Sequence, residues 1–249
     1  MIMNKMKLNK IFTVLLLVVA TTNTTYATLP GPDYTYRCPE CSNLLKRGSL
    51  LSGNTFGATL YSDGKMIAPM LPEFPNLTKC EKCDTILWLS DMKAIDTNAI
   101  RDTENVLPQK NADRVKFLGV HDLSRFLEWD TVKNDKEREK TVRQRIWWTF
   151  NDRVRAGKEI FVQENDEVLW KQNCVRLIEL LDTKDVNQKI MAAELHRNLG
   201  EFDACMELIN ALDDDFDWII EKFKKECDNK NKTLIKLREP ASRNSGGGS

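Results

Sequence analysis

The sequence predicts an α+β chain in which a small β-rich, four-cysteine module precedes an all-α domain of helical hairpins. Three observations predict it. Cys38 with Cys41 and Cys80 with Cys83 form two C-x-x-C elements in the first third of the chain. The stretch between them alternates short β-type runs with turn residues, and after residue 110 the apolar spacing is helical almost throughout.

The 249 residues leave room for two modest domains. Lys+Arg and Asp+Glu both number 37, so there is no basic excess of the kind phosphate neutralisation demands. No nucleic-acid partner is expected. Lys5, Lys7 and Lys10 precede an apolar run at 11–20, and Thr25, Tyr26 and Ala27 form an A-x-A-like cleavage site. That order reads as a signal peptide over residues 1–27. The run is shorter than the ~20 residues of a membrane span, so a membrane is reached only through an uncleaved N-terminal segment. The mature chain is expected to begin near Thr28 and to be exported, either periplasmic or secreted. Residues 239–249 read as a flexible tail of the kind a cloning linker leaves.

The paired cysteines carry the strongest chemical signal. Each tight C-x-x-C turn aims two thiolates at one centre. Four thiolates at ~2.3 Å close the shell of a structural zinc site with no open position. Thiolates also select zinc over magnesium or calcium. The expected metal ligands are therefore Cys38, Cys41, Cys80 and Cys83. The 38 residues between the knuckles exceed the usual spacing of ~15–20, so a hairpin or lobe must be inserted there. Two other readings compete: structural disulfides, because export leads to an oxidising space, and a redox dithiol. Neither pair lies in a βαβ pattern, and a single redox centre does not need the motif twice, which favours zinc. Within the spacer, Asp63 and Gly64 predict a two-residue hairpin turn. Pro69, Pro72 and Pro75 predict an extended path. Residues 85–89 read as a final strand. Ser52, Asn54, Thr55 and Asp63 are turn formers or, alternatively, the lining of a small ligand site.

Residues 36–89 resemble a zinc ribbon, the rubredoxin-like knuckle fold. Tyr36-Arg37-Cys38-Pro39-Glu40-Cys41 and Lys79-Cys80-Glu81-Lys82-Cys83-Asp84 carry the resemblance, which implies two β-hairpins clamping one ion. Ser42 and Asp84 stand where the family often has Gly, which bears on the turn geometry rather than the ligands. The ribbon fold by itself implies no particular function. Residues 190–209 resemble a tetratricopeptide-type helical repeat. In that likeness Ala193 is the small residue of the first helix, Gly200 closes it, Phe202 opens the second and Cys205 takes the small packing position. An array needs about three repeats of roughly 34 residues, and one copy is legible, over 186–212.

The predicted division is a ribbon-like module at 28–95, a linker at 96–110 and a helical, repeat-like domain at 111–238. Val142, Ile146, Phe150 and Val154 make one apolar stripe with Trp147 alongside. Trp170, Cys174, Leu177, Ile178 and Leu181 make a second. Phe202, Cys205, Met206, Ile209 and Leu212 make a third, and Phe216, Ile219, Ile220, Phe223 and Cys227 a fourth. The single cysteines Cys174, Cys205 and Cys227 lie on stripes and read as small buried hydrophobes. A Cys205–Cys227 bridge is the alternative in an oxidising compartment. Residues 136–145 are charge-rich and lead into Trp147 and Trp148. Trp148 falls off the apolar stripe, and Arg and Trp are hot-spot residue types. Arg143, Arg145 and Trp148 are thus the candidate partner-facing residues, against the alternative of a solvated, ion-paired helix face. Asp213, Asp214 and Asp215 read as a helix N-cap.

His121 and His196 are the two histidines of the chain, and neither belongs to a recognisable nucleophile, metal-hydrolase or phosphate-loop motif. Binding therefore ranks above catalysis and no catalytic residue is assigned. The expectation is a zinc-stabilised interaction or scaffold protein of the cell envelope with another polypeptide as partner. The alternative is a thiol-redox or metal-handling protein using its C-x-x-C pairs. Chelation is expected to melt the β-rich head and spare the helices.

Overall fold

The computed structural model describes residues 28–95 and 112–238. The predicted signal segment, the linker at 96–110 and the tail at 239–249 lie outside them. Short strands come first: β1 (Leu29–Pro30), β2 (Tyr34–Arg37), β3 (Leu44–Arg47), β4 (Leu50–Ser52), β5 (Thr59–Tyr61), β6 (Met66–Ile67), β7 (Leu77–Lys79), β8 (Ile86–Trp88) and β9 (Asp113–Arg114). Helices α1 (Val120–Phe126), α2 (Asp130–Lys133), α3 (Lys136–Arg155), α4 (Asp166–Leu180), α5 (Val186–Leu199), α6 (Phe202–Asn210) and α7 (Asp217–Asp228) follow, and then β10 (Lys236–Arg238). The architecture is mixed α and β in the predicted order.

Two antiparallel hairpins, β2–β3 and β7–β8, frame the cysteines. The spacer between them supplies β4, which pairs with β1, and the hairpin β5–β6. The hairpin turns at Asp63 and Gly64 as expected, but through a three-residue loop, 62–64, rather than a two-residue one: Tyr61 N–H donates to Lys65 O at 3.0 Å, and Gly64 takes φ +76° and donates to Tyr61 O at 3.0 Å. Glycine reaches that left-handed angle without a Cβ clash. The three prolines lie on a path without helix.

Two strands depart from the predicted division. Asp113 and Arg114, assigned to the helical domain on sequence, form β9 and pair in parallel with β3 of the first cysteine hairpin. β10 leaves the helical end of the chain and pairs with β5. Strands of two or three residues carry no periodic signal, so only the open edges of β3 and β5 decide where they go.

The helices follow their stripes. Val142, Ile146, Trp147 and Phe150 of α3 are fully buried, each contributing ~1.5–3 kcal/mol through burial. The Asp135 carboxylate caps α3 by accepting from the amides of Glu137 and Arg138, both at 3.0 Å, which satisfies donors that a helix start leaves orphaned. Gly200 ends α5 at φ +87°, and Glu201 N–H donates back to His196 O at 2.9 Å, a left-handed C-cap. α6 then folds back on α5 as a helical hairpin. The acidic run differs from expectation. Residues Asp214–Phe216 form a 3-10 turn, Phe216 is the N-cap of α7, and no side chain caps that helix. The aspartates act there through the helix dipole alone.

Strand β8 is shared between two cores because its side chains alternate. Leu87 joins Tyr36, Leu45, Cys38 and Cys80 in the core beside the cysteine knuckles. Ile86 joins Leu123, Val142, Ile146 and Phe150 in the helical core, with Leu77 and Trp88 packed against it. A second helical core gathers Ala193, Cys205, Ile209, Ile219, Phe223 and Cys227, closed by Leu237 of β10.

Two carboxylates bind the helices together. Glu139 accepts from Arg176 at 2.9 and 3.0 Å and from Arg143 at 2.8 Å, and Arg176 leads the interactions that hold its carboxyl down at about 2. Burial works to raise Asp166, but the amides of Gln163 and Val162 and the Arg153 guanidinium outweigh it and hold that carboxyl at about 2 as well. Folded pKa values below the unfolded ~4 mean stability that is present above pH ~4 and lost as pH falls toward ~2. The thermal midpoint is expected to drop across that window, and Glu139→Gln to flatten part of the slope. A midpoint that stays level from pH 4 to 2 contradicts this.

Candidate metal centre

Each knuckle is the same six-residue loop, residues 38–43 between the last pair of β2–β3 and residues 80–85 between the last pair of β7–β8. The backbone bonds repeat as well. Cys38 N–H donates to Asn43 O at 2.8 Å and Cys80 N–H to Thr85 O at 2.9 Å; Ser42 N–H donates to Cys38 O at 3.0 Å and Asp84 N–H to Cys80 O at 2.8 Å. Ser42 and Asp84 take φ +60° and +56°, so the left-handed turn forms without the glycine that the ribbon family favours. Left-handed backbone costs a non-glycine residue ~1–2 kcal/mol, and glycine gives back ~0.4–1 kcal/mol through a freer unfolded chain. Ser42→Gly is therefore expected to raise stability by up to about 1 kcal/mol, read as a higher denaturation midpoint. A lower midpoint with the metal still bound would show that the Ser42 side chain matters more than its backbone angle.

The turns bring all four predicted thiols together. Cys38 Sγ lies 3.6 Å from Cys83 Sγ, Cys41 Sγ lies 3.6 Å from Cys80 Sγ, and the four sulfurs lie within 4.8 Å of one another. The corners of a tetrahedron with ~2.3 Å metal–sulfur bonds are ~3.8 Å apart, so the residues fit a thiolate-bound metal. All four thiols are free, and each sulfur has the other three around it rather than a single partner, which is the arrangement of a shared ion rather than of two separate disulfides. The first cysteine of each knuckle is buried, while Cys41 is half-buried and Cys83 exposed.

The electrostatics also describe a group that takes a cation. The Thr85 hydroxyl and amide, foremost among several donors, bring Cys83 down to about 6. The Asn43 amide favours the Cys41 thiolate, yet burial and the three neighbouring thiols together push that thiol up to about 12. Burial raises Cys38. Thiolates this close would repel one another, and a divalent cation at their centre would offset that repulsion and favour the thiolate form. Four sulfur ligands would close the shell of a tetrahedral ion, the pattern of structural zinc sites.

Sequence reasoning missed the supporting residues. Asn43 Nδ2 donates to Asp113 Oδ2 at 2.8 Å and lies 3.7 Å from Cys80 Sγ, tying the first knuckle to β9 and to the second knuckle. Thr85 Oγ1 lies 3.2 Å from Cys83 Sγ. Both occupy the second position after the last cysteine of a knuckle, and that repeated polar position was the available signal.

Of the three predicted partner-facing residues, Arg143 parts from the other two. Arg143 pairs with Glu139 toward α4. Arg145 pairs with Glu73 and stacks 5.1 Å over the Trp148 ring, and Trp148 Nε1 donates to Asp63 O at 3.0 Å. All three are engaged within the chain, and Arg145 and Trp148 line a cleft of about 360 Å³ with Lys65, Trp88 and Phe117. The tip of β5–β6 docks beside it. Asp63 is fully buried and accepts from Asn151 at 2.8 Å and from Arg155. Ser62 Oγ donates to the buried Glu194 at 2.6 Å, which also takes Arg197 at 2.6 and 2.8 Å and Asn198 at 3.0 Å. Asp63 thus parts from Ser52, Asn54 and Thr55, and no common ligand site forms; Asn54 instead accepts from the Phe56 amide at 2.8 Å, as a turn former does. The histidines are far apart in role: His121 meets Gln163 at 2.5 Å and His196 meets Glu201 at 2.6 Å.

Comparison with protein families, with curated proteins and with solved structures finds no match to this chain.

Proposed function

We propose that this is an exported, zinc-stabilised interaction or scaffold protein whose partner is another polypeptide. The observation that carries the reading is the closed group of four thiols at tetrahedral spacing. Soft thiolate donors in that geometry favour zinc over oxygen-loving cations, and a full shell leaves no position for a substrate. The ribbon then serves as a rigid head, locked to the helices through Ser62 and Asp63. The α5–α6 hairpin is read as one tetratricopeptide-like unit, a scaffold element. The cleft with Arg145, Trp148, Trp88 and the exposed Phe117 supplies the aromatic–guanidinium mixture that anchors polypeptide segments. The first test is metal content with a parallel thiol count on protein purified without added zinc or reductant. One zinc per chain supports the reading; metal-free protein with those four cysteines oxidised overturns it. A photo-crosslinker at Phe117 then tests the cleft, against one at the exposed Val175. A discrete polypeptide adduct at Phe117 that Trp148→Ala removes is the expected result, and equal labelling from both positions counts against the cleft.

One observation favours a second reading, metal handling. Cys83 is exposed and its thiol is lowered to about 6, so a competing ligand reaches it first. Zinc passing to a chromogenic chelator within seconds, with helical circular dichroism intact, selects this reading. Retention for hours selects the scaffold.

A further inference from the structure

We infer that Cys205 and Cys227 are a disulfide-forming pair that locks the last helix in place. Their sulfurs lie 3.5 Å apart between α6 and α7, with a sequence separation of 22 residues. Both are buried, and among the described residues no third His, Cys, Asp or Glu joins them as a metal ligand set. Bond formation needs only a small closure of that gap toward ~2.05 Å. The two thiols are not equivalent. Cys205 is wholly enclosed, whereas Cys227 opens onto a hollow of about 770 Å³ beside Phe202, Met206 and Lys230.

That asymmetry sets the order of events. The oxidant is a low-molecular-weight disulfide. The Cys227 thiolate attacks one of its sulfurs, forming a mixed disulfide and expelling one small thiolate. Cys205, losing its proton, attacks Cys227 Sγ and expels the second small thiolate. The cysteines give up two electrons and two protons, and the small disulfide is reduced to two thiols. Glu201, Asp203 and Asp228 also line the hollow, so a neutral disulfide enters more readily than an anionic one. Burial raises both thiols, which makes the reaction slow but leaves its geometry intact.

The bond has a mechanical consequence. α7 leads into Ile235 and β10, and the Ser62 amide donates to Ile235 O at 3.0 Å while Ile235 N–H donates to Ser62 Oγ at 3.2 Å. Fixing α7 to α6 therefore holds the strand that clasps the inserted hairpin. The inference does not rest on the zinc reading, because these cysteines lie in a different core.

The test treats the full, folded chain with hydroxyethyl disulfide, a small neutral disulfide, and maps the unreduced tryptic peptides. The expected product joins peptides 198–222 and 226–230 and is lighter than their sum by two hydrogens, while the solitary buried Cys174 stays reduced. Cys205→Ser should accumulate the mixed disulfide on Cys227, and Cys227→Ser should give neither product. Oxidation should slow hydrogen exchange at the Ser62 and Ile235 amides by about tenfold or more. Folded protein in which both thiols stay free, or in which Cys227 stops at the mixed disulfide in the unsubstituted chain, overturns the inference. Cross-links confined to peptides holding Cys38, Cys41, Cys80 or Cys83 overturn it too, and would instead indict the zinc reading.

Discussion

If the four thiols hold zinc as proposed, Cys38→Ser or Cys80→Ser is expected to release it and unfold the β-rich module, the largest effect expected from one substitution. Structural zinc contributes ~10–16 kcal/mol of apparent folding energy in small zinc-dependent domains, as much as the whole stability of a typical domain, ~5–15 kcal/mol. Both sulfurs are buried, so serine leaves an unsatisfied hydroxyl in the ribbon core in addition to the lost ligand. The structure alters the sequence-based expectation that the helices are spared. Ile86 is part of the helical core, with Leu77 and Trp88 packed against it, and Lys79 of β7 pairs with Asp122 of α1 at 3.3 Å. Chelation should therefore lower the melting temperature of the helices as well. A residual helical signal should persist from the core around Cys205, Ile209 and Phe223, which draws on α5, α6 and α7. Circular dichroism at 222 nm alongside zinc content reads both outcomes. A helical melting temperature unchanged by metal removal would mean that the two cores are independent.

The second large effect is expected at Glu194. Its carboxylate is fully buried with Arg197, also fully buried, and accepts from Ser62 and Asn198. Glu194→Ala strands the guanidinium without its counter-charge, at a cost of ~3–5 kcal/mol. Arg143→Ala, by contrast, removes one of two guanidinium partners from Glu139 at a partly solvated pair, where ~1 kcal/mol or less is expected. Urea denaturation midpoints compare them directly. The paired replacement Glu194→Leu with Arg197→Met should recover most of the loss, since it removes both charges together. If Glu194→Ala proves as mild as Arg143→Ala, the clasp between hairpin and helices contributes little to stability.

Particular residues separate what was legible from what was not. The knuckles were legible because C-x-x-C fixes two ligands within one turn, and the pattern occurs twice. The hairpin at Asp63 was legible in its backbone, yet its side chain was read as a turn former or the lining of a ligand site, not as a buried partner of Asn151 and Arg155. Glu194, Arg197 and Asn198 passed unnoticed, because glutamate and arginine three positions apart on a helix read as an exposed ion pair. Trp148 was set off the apolar stripe of α3, yet it is half-buried and packs against the helical core; periodicity does not say what faces it, and the carbonyl it meets belongs to a residue 85 positions earlier.

Local order was thus determined by the sequence alone: four cysteines on matched turns, a hairpin at Asp63 and Gly64, apolar stripes on α3, α4, α6 and α7, and burial of Cys174, Cys205 and Cys227. Each depends on residues within a few positions of one another, where sterics and period leave a direct trace. The tertiary structure decided that β8 serves two cores, that β9 and β10 belong with the ribbon strands, and that Ser62 meets Glu194 across 132 residues. Those outcomes depend on which distant surface removes a polar group from water. A charged side chain reads the same in sequence whether it faces solvent or a buried partner, and only the assembled fold supplies the partner.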